Sequence, residues 1–197
     1  LDLTDILKKV AQQYSEDLKP AWARSFEPPA VCSAVTLRNI HTLIDLHLRT
    51  NEERFLAPIE TAIEWLESSV VDVPTHYHEF RKGATIYKRG WARLYEVGTN
   101  RPIFGDRDSK IHYTFDEISE ERKRGYSWYR PYNTNLFERY RHLSEVGREA
   151  LMAETNAAGN TDSLATRCEE MEPNVRRIIA ELDDQGRGVD NGMILMK

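Results

Sequence analysis

Cysteine is almost missing from this sequence: Cys32 and Cys168 are the only two in 197 residues. Two thiols cannot build the disulfide framework of a small secreted domain, and no CxxC or Cys/His spacing suits a metal site. A single bridge between them is open, but sequence alone does not fix it. Long apolar runs are missing as well. Nothing approaches the roughly 20 consecutive apolar residues of a membrane-spanning helix, so no partnership with a membrane is expected. An excess of positive charge is also lacking: 27 Lys and Arg stand against 32 Asp and Glu, a net charge of −5. That balance argues against a nucleic-acid partner or a general coat for an acidic polymer. The chain opens on Leu1 with neither a basic n-region nor an apolar h-region, as a mature or trimmed fragment would.

What is there is an ordinary globular composition, 40% hydrophobic and 30% charged, enough for one domain with a sizeable core or for part of a larger one. Apolar periodicity predicts a mainly α protein. Thr4 is placed to cap a first helix with Leu7, Val10, Ala11 and Tyr14 on one face. Residues 17–32 are punctuated by Pro20, Pro28 and Pro29 and cannot be one helix. Val35 to Arg49 carries Leu37, Ile40, Leu43, Ile44 and Leu48 on one face. After Thr50-Asn51, the stretch from Glu52 to Ser69 carries Phe55, Ile59, Ile63 and Leu66, divided or started by Pro58. Together these two predict an αα-hairpin.

Residues 70–110 lack helical period and hold Pro74, Gly83, Gly90, Gly98, Pro102 and Gly105. They read as a long excursion with short strands near Thr85–Tyr87 and Leu94–Val97, and such loops are usually functional. Thr114 and Glu117 form a capping-box pattern for a helix through Lys123, closed by Gly125. A long helix is expected from Leu136 to about Glu154, and a last helical region from Ser163 to Asp184.

Charge is uneven along the chain. Between residues 81 and 110 lie eight cations (Arg81, Lys82, Lys88, Arg89, Arg93, Arg101, Arg107 and Lys110) against three acids, Glu96, Asp106 and Asp108. The stretch is either a solvated surface or a local anion site on an acidic protein. A near-repeat sharpens the choice. Trp22-Ala23-Arg24-Ser25-Phe26-Glu27 recurs as Trp91-Ala92-Arg93-Leu94-Tyr95-Glu96. The two tryptophans are candidate core wedges. Each arginine either pairs with its own glutamate or, with Arg107 in the turn Gly105-Asp106-Arg107-Asp108, binds a ligand. Guanidinium matches carboxylate as a two-pronged fork, which suits uronic acids.

The residues then resemble a known family. Trp91-Ala-Arg-Leu-Tyr-Glu, Pro102-Ile-Phe and Arg107-Asp108 are similar to the "WARFYE…PIF..RD" signature of family 10 pectate lyases. The likeness continues through Tyr113, Glu117 to Arg122, and Gly125-Tyr126-Ser127-Trp128-Tyr129. Upstream, Pro20-Ala-Trp-Ala-Arg-Ser-Phe-Glu-Pro-Pro29 resembles its "PAWAR.(Y/F)EPP" segment. The resemblance implies an incomplete (α/α) toroid of helical hairpins with long loops and short strands, of which this chain is the C-terminal part. It implies anti β-elimination on polygalacturonate, an acidic polysaccharide, with calcium as cofactor and a secreted or periplasmic setting. Carried over by position, Arg24 is the candidate catalytic arginine, and Arg93 and Arg107 the candidate substrate-binding ones. Two departures stand out: residues 30–35 differ from the family's Ser/Gly/Glu-rich stretch, and no carboxylate cluster has calcium-loop spacing, Asp106 and Asp108 being weak candidates. The alternatives are a non-catalytic binding module for acidic polysaccharide, or another helical-toroid sugar-active enzyme.

Overall fold

The computed structural model describes residues 10–81, 83 and 85–158, and short pieces at 169–173, 176–177, 180, 189–190 and 193–194. It divides into two compact units, Leu1–Glu145 and Val146–Lys197. The first carries every candidate site residue.

The expected helical hairpin is present in the first unit. Helix α1 (Ser33–Thr50) buries Ile40, Leu43 and Ile44, and α2 (Ile59–Ser68) buries Ile59, Ala62, Ile63 and Leu66. Asn51 takes the left-handed conformation (φ 60°) that ends α1, and its N–H donates to the His47 carbonyl.

The mainly α toroid expected for the whole chain is not what forms. Seven strands make two antiparallel sheets. One sheet has the order β1 (Val31–Cys32), β4 (Leu94–Tyr95), β5 (Pro102–Gly105) and β6 (Ile111–His112). The other has the order β2 (Val70–Asp72), β3 (Arg89–Ala92) and β7 (Tyr129–Pro131). The excursion at 70–110 thus contributes four strands, β2 to β5, and of the two expected in it the one near Leu94–Val97 is present as β4. Its strands are only two to four residues long, too short to print a period-2 pattern, and β4 is buried at both of its positions. Thr85–Tyr87 is not a strand; the pairing residues begin at Arg89.

The segment Arg89–Tyr95 feeds both sheets and breaks at Arg93. Trp91 is in register with Val70 and Arg130 in one sheet, and Leu94 with Cys32 and Ile103 in the other. A strand that bends between two sheets needs its freed backbone groups satisfied elsewhere. Arg93 N–H donates to the Trp128 carbonyl (2.6 Å), and the Arg93 carbonyl accepts from Ser33 N–H (3.1 Å). Arg93 is thereby fixed where the sheets part. The core beneath is aromatic: Tyr77, Tyr95, Phe104, Phe115, Trp128 and Tyr129 are all buried in one cluster. Edge-to-face contacts such as Phe104–Trp128 (5.5 Å) and Tyr77–Tyr129 (4.9 Å) hold it.

Other expectations shift locally. Val10–Tyr14 is not helical; Ala11 bridges to Val31 and Tyr14 to Pro20. The capping-box residues make a 3-10 turn, Phe115–Glu117, and helix α3 (Glu120–Gly125) starts later, capped by Ser119. The long helix stops at Val146 (α4, Asn135–Val146), Gly147 has φ 81°, and α5 (Arg148–Ala158) belongs to the second unit. That unit also contains a two-stranded pair, β8 (Val189–Asp190) with β9 (Met193–Ile194). Leu7 and most of the last predicted helix lie outside the described residues. Cys32 is buried with a free thiol; Cys168 lies outside the described residues.

Candidate active site

The first half of the site is a turn. Glu27 N–H donates to the Arg24 carbonyl (2.9 Å) and Ala23 N–H to the Glu27 carbonyl (3.1 Å), and Pro28 then forces the chain to run on extended. The turn throws Arg24 and Glu27 to the same side. Arg24 donates through Nε to Glu27 Oε2 and through Nη2 to Oε1, both at 2.6 Å. The two partners live in different solvents: the Arg24 side chain is 60% exposed and that of Glu27 only 3%.

A buried carboxylate needs full hydrogen-bond satisfaction, and Glu27 has it. Besides Arg24 it accepts from Tyr126 Oη (2.5 Å) and from Gln12 Nε2. Burial on its own would raise the Glu27 pKa, but Arg24, Tyr126 and Gln12 outweigh it and hold the carboxyl at about 2. Burial, reinforced by the bond to Glu27, pushes the Tyr126 phenol up to about 12, so it stays a neutral donor. The ion pair with Glu27 raises the Arg24 pKa further.

Around this turn sits a pair of aromatic rings, Phe26 and Tyr126, edge to face at 5.3 Å. Three guanidiniums close on them. Arg24 lies 4.6 Å from the Phe26 centroid and 5.8 Å from that of Tyr126. Arg93 lies 4.3 Å over Tyr126, and Arg122 lies 4.3 Å over Phe26. Arg93 also reaches Gln12 Oε1 with Nη2 at 3.4 Å, while its buried Nε has no partner. Arg107 joins through Glu121, which it grips with Nε (2.8 Å) and Nη2 (2.5 Å); the same carboxylate accepts from Arg122 Nη2 at 2.7 Å. Asp106 places that turn, accepting from both N–H and Oγ of Ser119 at the start of α3. A close approach completes the assembly: a Cβ on Gly105 would stand 2.5 Å from the Phe26 carbonyl oxygen, so β5 and the arginine turn pack as only glycine permits.

Arg24 and Arg93 therefore share one aromatic patch with Arg122, and Arg107 is tied to it only through Glu121. The repeat that suggested them does not hold them alike. Arg93 does not pair with Glu96, which is half-exposed and bonded to Thr99 and Tyr113. Trp91 is a buried wedge at 1% exposure, whereas Trp22 is 40% exposed on the loop and is no wedge. Gln12, Tyr126 and Arg122 were not singled out as site residues from sequence. Arg122 is an arginine inside a charged helix pattern, and it is buried with its guanidinium over Phe26, remote in the chain. For calcium the fit fails among the described residues. No three His, Cys, Asp or Glu side chains converge there, and Asp106 and Asp108 spend their oxygens on Ser119, Arg107, Lys110 and His112.

A family model described as pectic acid lyase matches residues 7–137, which covers the sheets and the arginine turn. The chain belongs to the pectic acid lyase family. The fold agrees with solved structures of a relative. The family 10 polysaccharide lyase from Cellvibrio cellulosa superposes with a TM-score of 0.54 at 22% identity, covering 74% of this chain and 49% of that one. A mutant form of that enzyme in complex with trigalacturonic acid gives 0.53, again at 22% identity, covering 73% and 49%. This pectic acid lyase chain thus spans about half the length of the solved structures it matches. No curated protein matches it. Among the described residues no helix is long and apolar enough to cross a membrane.

Proposed function

We propose that this chain forms part of the catalytic module of a lyase that cleaves polygalacturonate by anti β-elimination, in a secreted or periplasmic setting. In that reaction the C5 proton leaves, the C4–oxygen bond breaks and a C4–C5 double bond forms. Charge builds meanwhile on the carboxylate attached to C5. The observation that carries the reading is the buried Glu27, which fixes one face of Arg24 and leaves the other exposed beside Arg93. A preorganised cation aimed at developing charge is the usual largest contributor to such catalysis.

Arg24 is assigned to stabilise that charge. Its pairing with Glu27 favours the protonated guanidinium, which opposes a role as the base. Arg93 and Arg107 are assigned to hold substrate carboxylates in the ground state. The calcium implied by the resemblance would take its ligands from outside the described residues.

The test is the rise in ultraviolet absorbance of the unsaturated product when the full chain acts on polygalacturonate, with and without chelator. Arg24→Ala should lower kcat by about 10²–10⁴, roughly 3–5 kcal/mol of barrier, and Arg24→Lys should recover only part. Arg93→Ala and Arg107→Ala should raise KM as well. Near-normal kcat in Arg24→Ala would make its pair with Glu27 purely structural. Binding without product would establish a non-catalytic module.

A further inference from the structure

We infer that a cavity lined by Arg81, Arg93 and Arg130 binds the carboxylates of uronate residues further along the same polymer, beyond those held at Arg24. The inference rests on the polygalacturonate reading above. The cavity has a volume of about 520 Å³, within the range of about 300–1,000 Å³ common for small-ligand sites. Its position follows from the bend at Arg93. That residue stands over Tyr126 on the side of the arginine turn, and it also lines this cavity together with Ser33 and Ser127. The two sites therefore share one guanidinium.

The charge of the lining is what points to an anion. Three arginines line the cavity and no Asp or Glu does, in a chain whose net charge is −5. Among the described residues Arg24, Arg54, Arg107, Arg122, Arg124, Arg139, Arg141 and Arg176 all have an acid partner. Arg81, Arg93 and Arg130 form no ion pair among those residues. Arg81 donates to Ser127 Oγ at 2.8 Å, and Arg130 makes no side-chain hydrogen bond among the described residues. Burial, together with the like charges of Arg93 and Arg38, pushes the Arg130 pKa down despite opposing contributions from Cys32 and Tyr87. A half-buried cation beside two others is unfavourable until an anion arrives. Carboxylates suit it because a guanidinium takes them two-pronged.

The remaining lining suits a sugar. Tyr77, Tyr87 and Tyr129 contribute rings, and His78, whose Nε2 is fixed by the Tyr87 carbonyl at 2.8 Å, contributes a polar edge. The track also has an exit. A second cavity of about 510 Å³ shares Ala34, Arg130 and Pro131 with the first and adds Arg38. Arg24, Arg93, Arg130 and Arg38 thus mark one sequence of cationic positions, as a linear polymer with a carboxylate on every residue requires.

The experiment is calorimetric titration of the full chain with trigalacturonate and hexagalacturonate. The hexamer should bind about tenfold or more tightly than the trimer, since each added charge-assisted pair contributes on the order of a tenfold gain. Arg130→Gln and Arg81→Gln should each remove most of that gain while leaving trimer affinity within about twofold, and Arg130→Lys should restore part of it. Persistence of the gain in both glutamine variants overturns this inference and leaves the polygalacturonate reading standing. Equal losses for trimer and hexamer overturn it too. Failure of the unaltered chain to bind either oligomer overturns both. If Arg130→Gln does not fold, Arg81→Gln, outside the strands, carries the test.

Discussion

Replacing Glu27 by glutamine isolates the interaction on which the site is built. The side chain keeps its shape and one acceptor oxygen for Tyr126 and Gln12, but Arg24 loses a buried anion and faces an NH2 in place of the second oxygen. The Glu27 pKa lies at about 2 against an ordinary 4.5. A displacement of that size corresponds to on the order of 3 kcal/mol of preference for the charged form in the native state. A folded-state pKa below the unfolded one stabilises above the unfolded value, so the contribution is complete above about pH 4.5. It falls as pH drops toward 2, with about half left near pH 3. Glu27→Gln should therefore be less stable by about 3 kcal/mol at neutral pH, and its deficit should shrink steadily below pH 4.5. Urea unfolding of both proteins from pH 7 down to pH 2.5 measures this directly. The difference between the two cancels Glu121, the other carboxyl held at about 2. A deficit under about 0.5 kcal/mol at pH 7, or one unchanged at low pH, refutes the argument that a buried charged Glu27 anchors the turn.

Three further outcomes follow from the same geometry. Trp91→Ala should cost about 3–5 kcal/mol in urea unfolding, because the ring is buried and its Nε1–H donates to the Leu66 carbonyl at 2.6 Å, whereas exposed Trp22→Ala should stay within about 0.5 kcal/mol. Gly105→Ala should push the Phe26 backbone away and cost about 1–3 kcal/mol, with a fall in kcat that a more distant glycine-to-alanine change, such as at exposed Gly98, does not produce. Binding of polygalacturonate should exceed that of a neutral glucan and weaken as salt rises, since carboxylate–guanidinium contacts are screened; equal, salt-insensitive binding of both polymers would remove the arginine site from consideration.

What sequence could disclose depended on how local the cause was. The α1–α2 hairpin was legible because Ile40, Leu43, Ile44, Ile59, Ile63 and Leu66 repeat at helical spacing within their own segments. The sheets were not. β3 exists because Val70–Asp72 and Tyr129–Pro131 flank it, and no pattern inside Arg89–Ala92 records neighbours some twenty and forty residues away. The mainly α reading rested on helical hairpins as the only periodic signal and the toroid on the family resemblance, and both were overturned by strands too short to carry a period. The three candidate arginines came from the Trp-Ala-Arg repeat and the family signature. Arg130 was not legible, since nothing in Tyr129-Arg130-Pro131 records that its counter-charge is missing.

The repeat itself explains why identical short strings do different work. Around Arg24 the turn buries Glu27 against Gln12 and Tyr126, so the arginine arrives already paired and rigid. Around Arg93 the strand bends between sheets, Glu96 turns out to solvent, and the guanidinium is left on an aromatic face without an acid. A paired arginine is held for a charge that appears during reaction, since its position is fixed before the substrate arrives. An unpaired one gains most from a charge that the substrate brings with it, since binding supplies the missing partner. Arg24 is of the first kind and Arg93, with Arg81 and Arg130 beyond it, of the second. That division, set by where Glu27 and Glu96 end up, is the physical basis for proposing a kcat effect at Arg24 and a KM effect at Arg93; Arg107, already gripped by Glu121, falls outside it.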